Sequence, residues 1–498
     1  MKRTLLLLFT LALFVTFAGA AAGQPAKKDY RPAVRLETLD NGMRVLMLVK
    51  PGAPRVVCHV YYRVGSINER PGITGLAHLH EHMMFKGTRM MGVTDFAKDD
   101  ALNRKIDALM AQVYRERHWK LQGDMARADA LAQEALGLMN EEKQYIIKDH
   151  LWETLMRNGG TGLNASTSNE ITGYYVTLPA NKVELQMVLE ADRMQNAYYR
   201  EFYSEKEVVM EERRLSENSP GALFEEQVNS VFFAASPYSW GVIGWMDDLK
   251  KVTRADLAEF HDRYYVPNNA VAVYVGDFDP ANVLAMARKH FGAVPRGADI
   301  EPIRTWEPAQ NCEKRVTGKG PAPTSVQLLF HTPPGGHADV AALDLLGEIL
   351  TGETGRLFKS LVKGKELTTQ TTARNSAMLY AGRFQLSALP KTQSGVTPEQ
   401  MEAALWDELE QIKKGGVRED ELARVKNRRE AMVTRRLQQP AFLAMMLGRS
   451  EIARGWDSMF RDLDEILKVT TDDVRRVADK YLGRDNVTVA VYIREMGK

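Results

Sequence analysis

Two histidines and a glutamate packed into one helical turn carry the strongest chemical signal in this chain. His78, Glu81 and His82 form His-x-x-Glu-His within residues 75–87, a stretch that reads as helix. The two imidazoles are four positions apart, so on a helix they share a face and can grip one metal ion. Glu81 follows the first of them by three positions and adjoins the second, close enough to take a proton from a water held there. That combination points to metal-assisted hydrolysis, and the expectation is a zinc peptidase. His80 points off the shared face and is expected to be a bystander.

A catalytic zinc takes three protein ligands, so a third must come from elsewhere. Residues 205–214, Glu-Lys-Glu-Val-Val-Met-Glu-Glu-Arg-Arg, form a charged helix that could supply it. Glu205 and Glu212 are seven apart and lie on one face. Spacing alone does not separate Glu211 from Glu212. A structural zinc would need a closed shell of four ligands, and no nearby Cys or further His is placed to close it.

The elements that hold these residues begin after a leader. Lys2 and Arg3, a largely apolar run from Leu5 to Phe17, and Ala18-Gly19-Ala20 have the layout of a signal peptide covering 1–20. The chain is therefore expected to be exported, periplasmic in a Gram-negative cell, with no stable membrane anchor after cleavage. At 498 residues it exceeds one ordinary core. Without Lys2 and Arg3, the remaining 64 basic residues equal the 64 acidic ones, which argues against nucleic acid as a partner. Cys58 and Cys312 are far apart in no metal-ligand spacing, and two buried thiols are expected rather than a disulfide.

The chain also repeats itself. Val252-Thr253-Arg254-Ala255-Asp256-Leu257 opens a helix running to Tyr264, and Asn268-Asn269 leads into the strand 270–275. Val469-Thr470-Thr471-Asp472-Asp473-Val474, Tyr481, Asp485-Asn486 and the strand 487–492 restate that order. Both helices open on a Thr cap with acidic residues behind it. A shared ending predicts two related α/β domains, at 33–295 and 310–498, divided where Pro295, Gly297, Pro302 and Pro308 break any periodicity. Asp40-Asn41-Gly42 marks a hairpin between strands 35–39 and 43–49, with a third strand at 56–64. Strand 325–331 and helix 339–351 are expected in the second half. Residues 98–155 read as a charged helical insertion, with Ile106, Leu109, Met110 and Val113 at helical spacing and a turn at Gly123-Asp124. It is either a solvated decoration or a lid or partner contact.

Taken together, His78-x-x-Glu81-His82, Phe85-Lys86-Gly87-Thr88, Gly65-Ser66, Glu69, Asn164-Ala165-Ser166-Thr167 with Thr172 and Tyr174, and the 205–212 helix resemble the pitrilysin/insulinase family of zinc metallopeptidases. The resemblance is to its short two-domain bacterial type and to the mitochondrial processing peptidase beta subunit. It implies Zn²⁺, one per chain, with His78, His82 and Glu212 as ligands, Glu81 as the base, and Glu205 as a carboxylate supporting the ligands from behind. The implied fold is α+β: two homologous α/β-sandwich domains, each a mostly antiparallel sheet with helices packed on it, forming a clamshell, with the metal site in the first domain only. It further implies peptide substrates that pair with an edge strand starting at Asn164 and Ala165 and continuing toward Tyr174-Tyr175-Val176. The separation of His82 from Glu212 is longer than in the family, and the insertion accounts for most of the excess.

The family pattern breaks in the second half. Self-sufficient relatives carry an Arg and a Tyr there that bind substrate and stabilise the transition state. The matching positions in Leu361-Val362-Lys363-Gly364-Lys365-Glu366-Leu367-Thr368-Thr369 are Val362 and Thr369, and neither can donate such a bond to an oxyanion. The expectation is a dimer, a heterodimer in which a partner subunit supplies the Arg/Tyr pair, with a homodimer as the alternative. A non-catalytic scaffold or peptide-binding subunit is the rival reading, and the intact ligand set speaks against it.

Overall fold

The computed structural model describes residues 32–118 and 123–495. The expected signal peptide at 1–20 lies outside them. Two sheets organise the chain. Strands β1 (Arg35–Thr38), β2 (Arg44–Val49), β3 (Arg55–Tyr62), β4 (Thr161–Thr167), β5 (Thr172–Pro179) and β6 (Ala270–Gly276) form the first, in the order β1-β2-β6-β3-β5-β4. Strands β7 (Lys314–Gly320), β8 (Ser325–Thr332), β9 (Thr368–Ala377), β10 (Gly382–Pro390) and β11 (Val487–Arg494) form the second, in the order β7-β11-β8-β10-β9. With β1 set aside the two orders are the same. Each sheet has a single parallel pair, β2 with β6 and β7 with β11, and is otherwise antiparallel. The fold is thus α+β, built from two homologous α/β sandwiches.

The repeated motif does the same work in both. Thr253 and Thr470 each close a capping box with the Asp three positions on. Asn269 Nδ2 donates to Tyr264 O and Arg63 O, and Asn486 Nδ2 to Tyr481 O and His331 O, tying the helix end to the neighbouring strand. The strand Ala-Val-Ala-Val-Tyr-Val-Gly of β6 is buried along its whole length, as a central strand covered on both faces must be.

In chain order the helices of the first half are α1 (Leu76–Met83), α2 (Phe96–His118), α3 (Met125–Glu142), α4 (His150–Arg157), α5 (Val183–Asn196), α6 (Phe202–Glu217), α7 (Ala222–Phe232), α8 (Met246–Lys251), α9 (Arg254–Tyr264) and α10 (Pro280–His290). Those of the second half are α11 (Val340–Leu350), α12 (Pro398–Gly415), α13 (Glu419–Arg436), α14 (Pro440–Arg454), α15 (Ser458–Lys468) and α16 (Thr471–Tyr481). One face of the first sheet, with Val45, Val56, Val60 and Tyr274, packs on Leu79, Met187 and Leu257 from its own helices. Its other face, with Leu46, Val57, Tyr61 and Val273, is covered by Leu443, Ala444 and Leu447 of α14, a helix of the second half. The converse also holds: Phe224, Val228 and Phe232 of α7 cover Leu329, Ala490 and Tyr492 of the second sheet. Each half lends a helix to the other's sheet.

Two expectations need correction, and one open choice is narrowed. The segment from Asn164 to Val176 is a hairpin, not one edge: β4 is the outermost strand, whereas Tyr174, Tyr175 and Val176 lie in β5, paired on both sides by β4 and β3. Ser168 makes the turn, its amide and hydroxyl both bonding to Ile171 O. Cys58 is buried in β3 but Cys312 is exposed, and both thiols are free. The insertion is the expected helical hairpin, α2 and α3, and Asp124 caps α3 by accepting from Arg127 N. It does not hang in solvent, because Asp100 and Asp107 of α2 accept hydrogen bonds from Tyr198 and Tyr203 of the body. Among the described residues no helix is long and apolar enough to cross a membrane.

Candidate metal centre and active site

Helix α1 starts at Gly75, whose φ of +86° and 2.4 Å approach of a would-be Cβ to Ile243 O admit only glycine. With no side-chain cap of its own, the helix is capped from a distance. Glu69 accepts from Gly75 N at 2.9 Å and Ala77 N at 2.7 Å. A buried carboxylate there satisfies two orphan donors and faces the positive end of the helix. Burial nonetheless lifts the Glu69 carboxyl to about 8.

The helix turns His78 and His82 toward α6. His78 Nε2 lies 3.7 Å and His82 Nε2 3.8 Å from Glu212 Oε2. Ligand atoms of the three side chains lie within 4.8 Å of one another, the only such group of His, Cys, Asp or Glu among the described residues. These N···O separations exceed a hydrogen bond. Two imidazole nitrogens and a carboxylate oxygen facing a common point, held apart, are the donor set of an open zinc site. The structure also resolves the choice spacing left open: Glu212 faces the histidines, while Glu211 turns outward to Arg214 at 2.8 Å.

Glu205 sits behind the ligands. Its Oε1 is 2.9 Å from His82 Nδ1, and its Oε2 is 2.7 Å from Lys86 Nζ. Burial works to raise the Glu205 carboxyl, but His82 and Lys86 outweigh it and hold it at about 2. His82 shows the reciprocal effect: burial opposes its protonation, yet Glu205, with Glu212 and Glu81, lifts it above the usual histidine value. Burial, helped by His82, pushes His78 down to about 4. Lys86 belongs to the Phe85-Lys86-Gly87-Thr88 run, and its role becomes legible only once Glu205 is placed beside it.

Glu81 occupies the same turn and accepts from Thr167 Oγ1 at 2.5 Å. Burial raises its pKa despite this bond, which suits a group that must both take and return a proton. Thr167 ends β4, the edge strand that also carries Asn164 and Ala165. A cavity of about 560 Å³ opens beside Glu81 and His82, and Phe85, Trp152, Asn164 and Glu205 contribute to its wall. Ala165 is nearly buried and does not line this cavity, and the Asn164 side chain accepts from Ala165 N at 2.8 Å. Trp152 carried no sequence signal, because nothing local shows that α4 faces the metal site.

All residues lining this cavity belong to the first half. Val362 lies in the helical turn Phe358–Gly364 and Thr369 in β9. The nearby alternatives are engaged elsewhere: Arg356 pairs with Glu421 through two nitrogens, at 3.0 and 2.7 Å, and Tyr380 lines a different cavity with Arg44 and Arg63.

The family model described as "Insulinase (Peptidase family M16)" matches residues 44–109, and that described as "Peptidase M16 inactive domain" matches residues 251–429. The chain belongs to peptidase family M16. A Helicobacter pylori protein named zinc protease PqqE is 27% identical over 496 residues, covering 97% of this chain and 96% of that one. The crystal structure of a protease from Helicobacter pylori superposes with a TM-score of 0.75 at 25% identity, over 93% of this chain and 100% of that one. The first half of the periplasmic protease PqqL from Escherichia coli shares the fold, with a TM-score of 0.67 at 18% identity over 92% of each chain. In this M16 chain His78, Glu81 and His82 fall inside the insulinase match, whereas Glu205 and Glu212 lie in the stretch between the two matched spans.

Proposed function

We propose that this M16 chain is an exported zinc-dependent endopeptidase that hydrolyses peptides or small unfolded polypeptides. The observation carrying the reading is the convergence of His78, His82 and Glu212 beside Glu81 and an open edge strand. His78, His82 and Glu212 would hold one Zn²⁺ per chain, which would supply Lewis acidity toward a bound water and the scissile carbonyl. Glu81 takes the proton from the attacking water and returns it to the leaving amine. Glu205 holds His82 in the tautomer that presents Nε2. Extended substrate pairs with β4 at Asn164 and Ala165, an arrangement that reads backbone more than sequence. Export is supported by the leader-like start and by the likeness to a protease described as periplasmic.

Among the described residues, no Arg or Tyr lines the cavity beside Glu81, and we assign the Arg/Tyr pair to a partner subunit, with this chain as the zinc-bearing member of a dimer. The test is cleavage of a quenched-fluorescent peptide library by the purified mature protein, with and without a chelator, beside Glu81→Gln. Chelator-sensitive cleavage absent from Glu81→Gln establishes the peptidase and sinks the obligate partner. Silence with one zinc bound supports the partner. Silence with no zinc bound overturns the reading.

A further inference from the structure

The helical insertion packs against the segment that delivers the third metal ligand. Asp100, Asp107 and Tyr114 recur every seven residues on α2 and so share one face. Each meets a residue in or just before α6. Tyr198 Oη donates to Asp100 Oδ1 at 3.0 Å, Tyr203 Oη donates to Asp107 Oδ1 at 2.9 Å, and Lys206 Nζ donates to Tyr114 Oη. Arg254 of α9 joins the middle rung through Asp107 at 3.2 Å. Lys206 spends its other two protons on Lys250 O and Val252 O, both at 3.1 Å, at the end of α8. A nearly buried ammonium with all three donors used is fixed in place. At the foot of this ladder Arg200 and Asp99, both wholly buried, pair at 2.8 Å.

Tyr203 and Lys206 flank Glu205 in sequence but leave α6 on a different side from Glu205 and Glu212. The helix is therefore held on one side by α2 and turned toward His78 and His82 on another. A lid would touch the mouth of the site, and a decoration would leave these polar side chains to water. The α2–α3 hairpin of the insertion does neither: no residue of it lines the cavity beside Glu81, and its polar side chains are bonded to the body.

We propose that α2 is a clamp on α6, and that Asp107 and Tyr114 are positioning residues for the metal site, acting through Tyr203 and Lys206 on Glu205 and Glu212. The proposal rests on the reading of Glu212 as a metal ligand. It assigns the α2–α3 hairpin to metal affinity rather than to substrate entry.

The experiment compares wild type with Tyr114→Phe, Asp107→Asn, Asp107→Glu and the outward-facing Lys105→Ala. Zinc dissociation constants are measured by chelator competition, cobalt absorption reports the geometry of the bound metal, and apo-protein melting reports the fold. The clamp predicts that Tyr114→Phe and Asp107→Asn lose about ten-fold in zinc affinity, within the range of other outer contacts to metal sites. Cobalt absorption should shift, zinc affinity should fall by more than any drop in apo melting accounts for, Asp107→Glu should recover part of the affinity, and Lys105→Ala should match wild type. Equal affinity in all variants, or affinity lost only in step with apo melting, overturns the clamp while leaving the metal site intact. Absence of one bound metal in wild type overturns the metal reading first, and the clamp with it. Should Asp107→Asn fail to fold, Tyr114→Phe decides, since it removes one hydroxyl.

Discussion

His82 Nδ1 and Glu205 Oε1 stand 2.9 Å apart, so the ring is held from behind and Nε2 is the atom left to face Glu212. A metal-ligating histidine needs this second contact, because it fixes the tautomer and strengthens the nitrogen as a donor. Replacing Glu205 by Gln removes charge and keeps shape. Zinc affinity is expected to fall about 10- to 100-fold, read by chelator competition, with the fold retained by circular dichroism.

Glu81→Gln separates chemistry from metal binding. Zinc content by elemental analysis should match wild type, whereas turnover should drop by about 100- to 10,000-fold, the contribution of a positioned general base. Equal loss of zinc would assign Glu81 to the ligand set instead.

The pH dependence follows from the two histidines. His78, at about 4, is neutral well below neutral pH, so it does not compete for protons with the metal. His82 holds its proton to a higher pH than usual, because Glu205, Glu212 and Glu81 outweigh its burial. Zinc needs the neutral ring. Zinc affinity is therefore expected to weaken as pH falls through the His82 titration, with about one proton released per metal bound below it. Calorimetry in buffers of different ionisation enthalpy measures that proton directly.

Trp152 stands half-exposed on the wall of the cavity beside Glu81. Trp152→Ala should lower kcat/KM about ten-fold for peptides with a bulky apolar side chain flanking the cut bond, and leave peptides with small residues there nearly unchanged. Mass spectrometry of a peptide library before and after the substitution maps the change.

The Asp99–Arg200 pair carries stability rather than chemistry. Both side chains are fully buried, so Asp99→Ala removes the carboxylate hydrogen-bonded to the Arg200 guanidinium. A loss of about 3–5 kcal/mol in urea unfolding is expected.

The sequence made some of this plain and hid the rest for physical reasons. The pairing of His78 with His82 is local, a matter of helical period, and could be read directly. The choice between Glu211 and Glu212 could not, since neighbours on a helix point about 100° apart and only the packing of α6 against α1 decides which faces inward. The same limit explains the misplaced end of the proposed substrate edge. Asn164 to Val176 reads as one extended run, and the Ser168 turn that folds it back is visible only once β5 is seen between β4 and β3. The duplicated Thr cap and Asn latch were legible because each motif is short-range. The exchange of α7 and α14 was not, because an apolar helix face does not announce which sheet it will cover.

That exchange gives the peptide link between the halves an unexpected status. Residues 293–313 hold no helix or strand, yet Leu447 of α14 is buried on the first sheet and Phe232 of α7 on the second. A protease nick in that span would yield two fragments that stay interlocked, each completed by the other's borrowed helix, and either fragment made alone would expose a bare sheet face. The two halves behave as a pair of subunits that happen to be translated together.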